Sequence, residues 1–359
     1  MNFSKLLIDW YNANKRSLPW REANDAYKIW LSEIIMQQTR IEQGTSYYLK
    51  FVEHFPTVQD LAHAAEEEVL MLWQGLGYYS RARNLHATAK QIVNEFGGKF
   101  PQTIEQLQTL KGVGEYTAAA IASFAFNLPH PTIDGNVQRV LCRAFGLHEA
   151  INTGASKKEL NNLAYKLIDT TQAATFNQAL MDFGSIHCKA QNPLCNSCPF
   201  STECYALREN KINVLPLKKK ALAKQDRFLY YFIILHKENN HTFVYIKQRT
   251  EKDIWNKLYD FPLIDSKTAL NELQQFETLT TMLGFSIPKQ QIKTFDKNYK
   301  HILSHQTLFA TFYTLTIQQS ATFEQINSKQ NYTKINIQNI LEYPFPKLIH
   351  NFFNDNQLV

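Results

Sequence analysis

Apolar residues recur every three or four positions through residues 1–207, with Gly, Pro and Asn between the apolar groups. This spacing is typical of amphipathic helices. In 25–43 the spacing follows a polar residue, Asn24 or Asp25, that can cap a helix N-terminus. The apolar positions of this segment are Ile29, Trp30, Ile34 and Ile41. The pattern predicts a helix over this segment and a helical bundle for the first 207 residues.

The pattern changes after Arg227. Two runs of β-branched and aromatic residues, 228–235 and 242–249, are separated by the polar stretch HKENNH, which predicts a β-hairpin. The segment 307–317 predicts a further strand, and the polar segment 318–331 predicts a loop. The C-terminal part is therefore expected to be an α+β domain, and no repeat with a period of 20 to 50 residues is found.

Between the two parts, the stretch INVLPLKKK has no helical period and ends in a lysine run. We therefore predict a domain at 1–207, a basic linker at 208–226 and a second domain at 227–359. Seven basic and two acidic residues lie between Arg208 and Arg227. A solvated linker is the simpler interpretation, and a strap that faces DNA is the alternative.

Composition excludes several classes of protein. A chain of 359 residues with 44% hydrophobic content has enough apolar residues for two cores, which excludes a disordered or fibrous chain. The longest apolar run has eight residues, below the roughly 18 that a membrane-spanning helix needs. The N-terminus MNFSKLLIDWYNANKRS has no apolar signal region, so we expect a cytoplasmic protein without a membrane partner. The net charge of +6 is compatible with a polyanionic partner without establishing one.

Four of the five cysteines fall between residues 188 and 204, in the spacing C-x6-C-x2-C-x5-C. They are Cys188, Cys195, Cys198 and Cys204. Because disulfides are rare in the cytoplasm, the group predicts a metal site. Four thiolates suit either zinc or a 4Fe–4S cluster, and the spacing alone leaves both open. Cys142 stands apart in an apolar helix and is expected to be a buried core thiol.

Residues 107–121 read LQTLKGVGEYTAAAI, which predicts two helices joined by a tight turn at Gly112 and Gly114. Glycines at this spacing expose backbone N–H groups at a helix N-terminus, where a phosphate oxygen binds well. A GxG motif alone is weak evidence of function. Here the two flanking helices and Asp134 downstream complete a helix-hairpin-helix pattern, which is typical of DNA binding without sequence preference.

The hairpin, the downstream aspartate and the cysteine loop together resemble the helix-hairpin-helix DNA glycosylases of the endonuclease III type that carry an iron–sulfur cluster. Within that family the resemblance is to the adenine-specific branch and extends nearly from end to end. The motifs that carry it are LPWR (18–21), WLSEIIMQQT (30–39), GLGYYSRARNL (75–85), LKGVGEYTAAAI (110–121), IDGNVQRVLCR (133–143), FNQALMDFGSIHC (176–188), LYDFP (258–262) and LSH (303–305). The resemblance implies one 4Fe–4S cluster on the four cysteines and a Nudix-like C-terminal domain.

The resemblance also implies roles for two carboxylates. Glu33 lies in the apolar helix segment WLSEIIM, where a desolvated carboxyl has a raised pKa and can act as a general acid. It would protonate the leaving adenine, whereas an ordinary surface glutamate is the alternative. Asp134 would stabilise the oxocarbenium ion at the sugar, whereas a helix N-cap is the alternative, and Asn136 would join its hydrogen-bond network. Tyr116 occupies the position where bifunctional relatives have a lysine, which predicts hydrolysis that leaves the strand uncut.

Excision of a stacked base requires that the nucleotide be flipped out of the helix. By resemblance, Gln38 and Tyr78 are the wedge residues that enter the opened step. Thr39, Gly112 and Gly114 are the further expected DNA contacts. The expected adenine pocket consists of Trp20, Arg21 and Gln178.

The resemblance implies that a loop usually written FSH reads 8-oxoguanine opposite the adenine. Here the loop is Leu303-Ser304-His305, so the aromatic residue is missing while the polar residues remain. The expected partner is double-stranded DNA with adenine opposite 8-oxoguanine or guanine. We expect a monomer that associates with the nucleoid in a prokaryotic cell.

Three other functions are considered. A Nudix nucleotide hydrolase requires a metal-binding REx2EE helix, which does not occur among the 11 scattered acidic residues of 227–359. A non-catalytic iron–sulfur module for DNA binding would not need Glu33 and Asp134 to be acidic. A glycosylase for another mismatched base, such as thymine, is the third alternative, and the second domain favours the adenine enzyme over it.

Overall fold

A computed structural model describes residues 2–22, 25–151, 153–217, 224–284, 291–295, 297–303, 305–317 and 331–356. Contacts between residues divide the chain into two compact units. The first unit consists of Met1–Ala64 with Asn84–Lys220, and the second consists of Ala65–Arg83 with Ala221–Val359. Residues 65–83 therefore group with the C-terminal part of the chain.

Most of the described α-helices lie in the first unit, and the others lie within 65–83 and in the C-terminal part. In chain order the α-helices of the described residues are α1 (Phe3–Asn14), α2 (Ala26–Met36), α3 (Ile41–His54), α4 (Val58–His63), α5 (Glu66–Leu72), α6 (Ser80–Phe96), α7 (Ile104–Thr109), α8 (Glu115–Phe126), α9 (Gly135–Phe145), α10 (Gly154–Leu167), α11 (Ala173–Asp182), α12 (Tyr205–Arg208), α13 (Glu272–Leu283) and α14 (Lys347–Asn356). A π-helical turn at Phe183–His187 extends α11, and short 3-10 turns cover Pro19–Arg21, Cys195–Ser197 and Ile337–Glu342.

No helix in the described part of the chain is long and apolar enough to cross a membrane. The longest, α6, has 17 residues and includes several charged ones. The longest apolar run of the sequence, 228–235, lies instead in a strand.

The prediction of one helix through 25–43 is wrong. Asp25 caps α2, as its side chain accepts a hydrogen bond from Tyr27 N at 2.9 Å, but α2 ends at Met36 and a new helix begins at Ile41. Gln38 lies between them with φ of 53°, a left-handed conformation that an α-helix cannot continue through. The break spans about one helical turn, so the apolar spacing runs across it unchanged. Asn24 lies outside the described residues.

One hydrophobic cluster of the first unit is formed mainly by α1, α9 and α11. Phe3, Leu7, Phe176 and Phe183 are fully buried there. Cys142 belongs to the same core and is 1% exposed, and burial raises the pKa of its thiol to about 11. The prediction of a buried core thiol is confirmed.

The helix-hairpin-helix prediction is also confirmed, since α7 and α8 are joined by the predicted glycine turn. Gly112 has φ of +77°, and a Cβ there would lie 2.7 Å from Cβ of Asn84. Both the backbone conformation and the close approach therefore require glycine. Gly114 is the N-cap of α8 and leaves the first N–H groups of that helix without a side-chain cap.

The second unit contains a mixed sheet. Its described strands are β1 (Gln225–Glu238), β2 (His241–Gln248), β3 (Tyr259–Asp260), β4 (Leu263–Ser266), β5 (Ile292–Thr294), β6 (Tyr299–Ile302), β7 (Gln306–Ile317) and β8 (Thr333–Asn336). β1 and β2 form the predicted antiparallel hairpin, whereas β1 pairs with β7 in parallel. The strand predicted at 307–317 is confirmed as β7, and the loop predicted at 318–331 falls almost entirely outside the described residues.

The two faces of this sheet carry different aromatic clusters because successive strand residues alternate between faces. On one face, Tyr230 and Phe232 of β1 form a core with Leu279 and Leu283 of α13. On the other face, Tyr231 stacks on Phe312 at 4.9 Å, and Phe312 stacks on Phe352 of α14 at 4.0 Å. The C-terminal domain therefore has the expected combination of a sheet with packed helices.

Residues 208–217 of the predicted linker lie in the first unit, whereas Gln225 and Asp226, which were also predicted as linker, already belong to β1. Leu217 O accepts a hydrogen bond from Ile151 N at 2.9 Å, and Leu215 is 2% exposed. The lysine run at 218–220 lies outside the described residues, so the alternatives of a solvated linker and a DNA strap stay predictions.

Candidate active site

A cavity of about 600 Å³ in the first unit brings together residues from distant parts of the chain. This volume is typical of sites for small ligands. The predicted site residues that line it are Glu33, Tyr116, Asp134, Asn136, Gln38, Thr39, Trp20, Arg21 and Gln178. The cavity therefore collects all the residues predicted for chemistry and for the adenine pocket.

Glu33 reaches this cavity from α2 and retains part of its surface there. Burial raises the pKa of Glu33 to about 7, against a hydrogen bond from the Tyr116 hydroxyl that lowers the pKa. The negative charge of Asp134 raises the pKa further and Arg21 lowers it. The Glu33 carboxyl is therefore substantially protonated near neutral pH, as a general acid requires.

Tyr116 lies on α8 beside Glu33. Its pKa is raised well above the usual value by burial and then by the negative charges of Glu33 and Asp134. The phenol therefore stays neutral and acts as a hydrogen-bond donor to Glu33.

Asp134 both caps a helix and faces the cavity. Its Oδ1 accepts a hydrogen bond from Val137 N at 2.7 Å, which caps α9. Its Oδ2 accepts a hydrogen bond from Asn136 Nδ2 at 2.9 Å. Asp134 can therefore serve both as a helix N-cap and as a carboxylate that faces the cavity, because the capping bond holds the side chain at the cavity wall.

Sequence reasoning missed Arg139, which continues this network. Arg139 donates to Asn136 Oδ1 at 2.9 Å through Nη2 and to the carbonyl oxygen of Cys188 at 2.9 Å through Nε. Its spacing of three residues from Asn136 on a helix was a readable signal, because residues at i and i+3 share a helix face. Arg139 therefore connects the Asp134 network to the start of the cysteine loop.

The four cysteines of 188–204 are free thiols that influence one another electrostatically. Arg143, which is 2% exposed, donates to Cys188 Sγ at 3.6 Å and to Lys189 O at 2.7 Å. Within the described ranges, no three His, Cys, Asp or Glu side chains stand where they could hold one metal ion. In a 4Fe–4S site each cysteine thiolate binds a different iron. The four cysteine sulfurs therefore lie farther apart than the ligands of a single metal ion. Four soft thiol ligands in one loop, one of them beside an arginine, fit such a cluster in chemistry.

Arg21 of the predicted adenine pocket forms an ion pair, with a residue behind the cavity, that the sequence did not reveal. Asp182 is 0% exposed and accepts hydrogen bonds from both terminal nitrogens of Arg21 at 2.7 Å, as well as from Arg16 Nε at 2.9 Å. Asp182 lies four residues after Gln178, so both lie on the same face of α11. The side chain of Arg21 is therefore held in one position at the cavity wall.

The predicted wedge residues have unusual backbones. Gln38 and Tyr78 have φ of 53° and 50°, and Tyr78 is 45% exposed. Gln38 belongs to the first unit and Tyr78 to the second. The Arg81 guanidinium lies 5.6 Å from the Tyr78 ring and 5.0 Å from the Trp73 ring, which supports the Tyr78 loop by cation–π contacts.

The predicted lesion-reading loop closes the hairpin of β6 and β7. Leu303 N donates to Gln306 O at 2.9 Å, and Gln225 N donates to His305 O at 3.1 Å. The His305 side chain is exposed, Leu303 is partly buried, and Ser304 lies outside the described residues. The loop thus presents His305 to solvent from a turn that two backbone hydrogen bonds support.

Comparisons with known proteins agree with this arrangement. The family model of the HhH-GPD superfamily base excision DNA repair proteins matches residues 31–166, and a NUDIX domain model matches residues 230–355. An adenine DNA glycosylase of Buchnera aphidicola subsp. Baizongia pistaciae is 34% identical over 97% of this chain and 95% of its own length. The human adenine DNA glycosylase is 45% identical over 57% of this chain and 39% of its own length.

Two solved structures resemble the helical part. A thermostable thymine-DNA glycosylase is 29% identical with a TM-score of 0.53, covering 58% of this chain and 95% of that chain. A trapped endonuclease III–DNA covalent intermediate is 22% identical with a TM-score of 0.51, covering 58% of this chain and 94% of that chain. The second likeness concerns the fold alone.

Proposed function

Because the chain belongs to the adenine DNA glycosylases of the HhH-GPD base excision repair superfamily, we propose that it removes adenine mispaired with 8-oxoguanine or guanine from double-stranded DNA. The enzyme is a hydrolase of N-glycosyl bonds that acts in base excision repair. The observation that carries the proposal is the convergence of Glu33, Tyr116 and Asp134 on one cavity, with an acid whose pKa is about 7.

The proposed reaction begins with an adenine nucleotide flipped into the cavity. Glu33 donates its proton to a ring nitrogen of the base, and the electron pair of the C1′–N9 bond leaves with the base. The Asp134 carboxylate stabilises the positive charge that develops on the sugar. A water molecule then adds to C1′ and gives its proton to the Glu33 carboxylate. Adenine and an abasic site result, and the acid is restored.

The product is expected to be an intact abasic strand. A Schiff base at the sugar requires an amine, and the neutral phenol of Tyr116 supplies none. Incubation with a duplex containing adenine opposite 8-oxoguanine should release free adenine, while the strand breaks only after alkali treatment. Prompt breakage without alkali would contradict monofunctional hydrolysis, and thymine release from a G:T duplex would favour the thymine alternative.

The extent of the matches favours an adenine glycosylase over a thymine glycosylase. The Buchnera adenine enzyme aligns over 97% of this chain, including the second unit, whereas the thymine-DNA glycosylase covers 58%. The match of a NUDIX domain model to 230–355 supports a role for that region in reading the base opposite the adenine.

Replacing His305 with alanine is expected to reduce the preference for 8-oxoguanine over guanine by about tenfold, since the loss of one hydrogen bond to a base costs about 1.4 kcal/mol. The side chain is exposed on a supported turn, so the variant should fold normally. Single-turnover rates with A:8-oxoguanine and A:G duplexes give the ratio, and exposed His241 changed to alanine is a matched control. An unchanged ratio would remove His305 from lesion recognition.

Glycosylases with the endonuclease III fold typically carry a 4Fe–4S cluster, and we propose that Cys188, Cys195, Cys198 and Cys204 hold one here. When bound, such a cluster cross-links residues 188–204 and adds local charge. Arg143 faces Cys188 Sγ, and Arg139 holds Cys188 O and Asn136 together. Iron and acid-labile sulfide analysis of anaerobically purified protein checks the assignment.

A further inference from the structure

We infer that Tyr11 is a positioning residue for adenine recognition, because its hydroxyl sets which end of the Gln178 side-chain amide faces the flipped base. The inference rests on the proposed function and concerns a residue that no motif singled out. Tyr11 lies on α1 and is 6% exposed. It does not line the cavity, so it acts through its neighbours.

The central contact is a hydrogen bond from the Tyr11 hydroxyl to Oε1 of Gln178 at 2.7 Å. Gln178 lies on α11 and lines the cavity. Burial raises the pKa of Tyr11, against the lowering effect of Arg21, so the hydroxyl keeps its proton and remains a donor. The acceptor end of the amide is therefore held toward Tyr11.

A glutamine amide has a donor end and an acceptor end of almost the same shape. If the Gln178 amide were turned over, its NH₂ group would face Tyr11, and the buried hydroxyl hydrogen would lose this acceptor, which is costly. The observed orientation leaves Nε2 as the end available to the base. Adenine has ring nitrogens that accept hydrogen bonds, so a fixed N–H donor is complementary to it.

Tyr11 also contacts the second predicted pocket residue. The Arg21 guanidinium lies 5.8 Å from the centroid of the Tyr11 ring, within cation–π range. The same guanidinium is held by both oxygens of Asp182. Tyr11 thus contacts both the Gln178 amide and the Arg21 guanidinium of the predicted adenine pocket. Both side chains are therefore positioned before the base enters.

The test uses the full-length protein and Tyr11→Phe, which removes only the hydroxyl. Binding is measured with duplexes whose target nucleotide carries a 2′-fluorine, which opposes positive charge at the sugar and prevents cleavage. The base is adenine or its 1-deaza, 3-deaza or 7-deaza analogue, each of which lacks one ring nitrogen. We expect the wild type to lose about tenfold in affinity for the analogue that lacks the nitrogen facing Gln178, the size of one buried hydrogen bond. A loss for the analogue that lacks the nitrogen protonated by Glu33 should persist in Tyr11→Phe.

In Tyr11→Phe the penalty for the analogue that lacks the nitrogen facing Gln178 should fall to about twofold, because the Gln178 donor is no longer held. Gln178→Ala should remove the same penalty. Tyr27→Phe is the matched control, since the buried Tyr27 hydroxyl also donates a 2.7 Å hydrogen bond, to Phe55 O, away from the cavity. It should leave the analogue pattern unchanged.

Several outcomes would overturn the inference: no penalty in the wild type, penalties in Tyr11→Phe that are unchanged for every analogue, or an equal loss of affinity for all four bases. Gln178→Glu tests the donor itself, because both carboxylate oxygens are acceptors and the penalty should disappear; a penalty that persisted would also overturn the inference. Adenine release by the wild type is measured on the same preparation. Absence of release would contradict the proposed function, whereas normal release with an unchanged penalty would contradict only the role of Tyr11.

Discussion

Replacing Glu33 with glutamine is expected to lower the single-turnover rate of adenine release by about a thousandfold, within the range known for loss of a general acid. This corresponds to about 4 kcal/mol of transition-state stabilisation. Glutamine preserves the size of the side chain and can still accept the hydrogen bond from Tyr116. It cannot transfer a proton to the base, so the loss should appear in the chemical step. DNA binding is measured alongside and should change little.

The pH dependence of the wild type provides a second measurement on the same residue. The acid form of Glu33 is required, and its pKa is about 7, so its population falls as pH rises above that value. The rate should therefore decline about tenfold per pH unit on the alkaline side. Glu33→Gln should lack this decline. A wild-type rate that stays constant up to pH 9, or a glutamine variant of near wild-type rate, would contradict the assignment of Glu33 as the acid.

Replacing Asp134 with asparagine is the second large effect, and we expect a loss of about a hundredfold to a thousandfold in the same rate. Asparagine caps helices as well as aspartate, so the bond to Val137 N and the start of α9 should persist. The negative charge that faces the developing oxocarbenium ion is lost. Asparagine has only one side-chain oxygen, so the variant keeps the cap but removes both the charge and the acceptor for Asn136 Nδ2.

Asp25→Asn is the matched control for this variant. Asp25 also caps a helix, accepting from Tyr27 N, but it does not line the cavity. Its change should leave the rate within about twofold, as cap substitutions of this kind have small effects on stability. If Asp134→Asn released adenine at the rate of Asp25→Asn, the charge on Asp134 would have no part in catalysis.

Some elements could be predicted because their signals are local. The β1–β2 hairpin follows from two apolar runs around a polar turn, and the turn at Gly112 follows from a backbone requirement that only glycine meets easily. The break between α2 and α3 could not be predicted in this way. The apolar spacing continues across it, and the left-handed Gln38 depends on packing that no local signal records.

In the candidate site, too, the residues that could be predicted are those with a local signal. Glu33 was predicted as a desolvated acid because its apolar neighbours are adjacent in sequence, and its raised pKa agrees with this. Asp182 and Tyr11 were missed because their partners are distant. Asp182 binds Arg21 across 161 residues, and Tyr11 binds Gln178 across 167. Neither pairing has a periodic or motif signal.

The amino-acid sequence by itself determined the helical and α+β parts and the helix-hairpin-helix turn, and it proposed Glu33 and Asp134 as the two candidate carboxylates, because periodicity, backbone freedom and short motifs act between near neighbours. Only the tertiary structure decided that these carboxylates share one cavity, and that residues 65–83 group with the C-terminal part of the chain. It also decided that buried partners hold the acceptor end of the Gln178 amide and the guanidinium of Arg21. The physical reason is that burial and hydrogen bonding between distant segments arise only after the helices have packed, and these set both the pKa of Glu33 and the orientation of the pocket side chains.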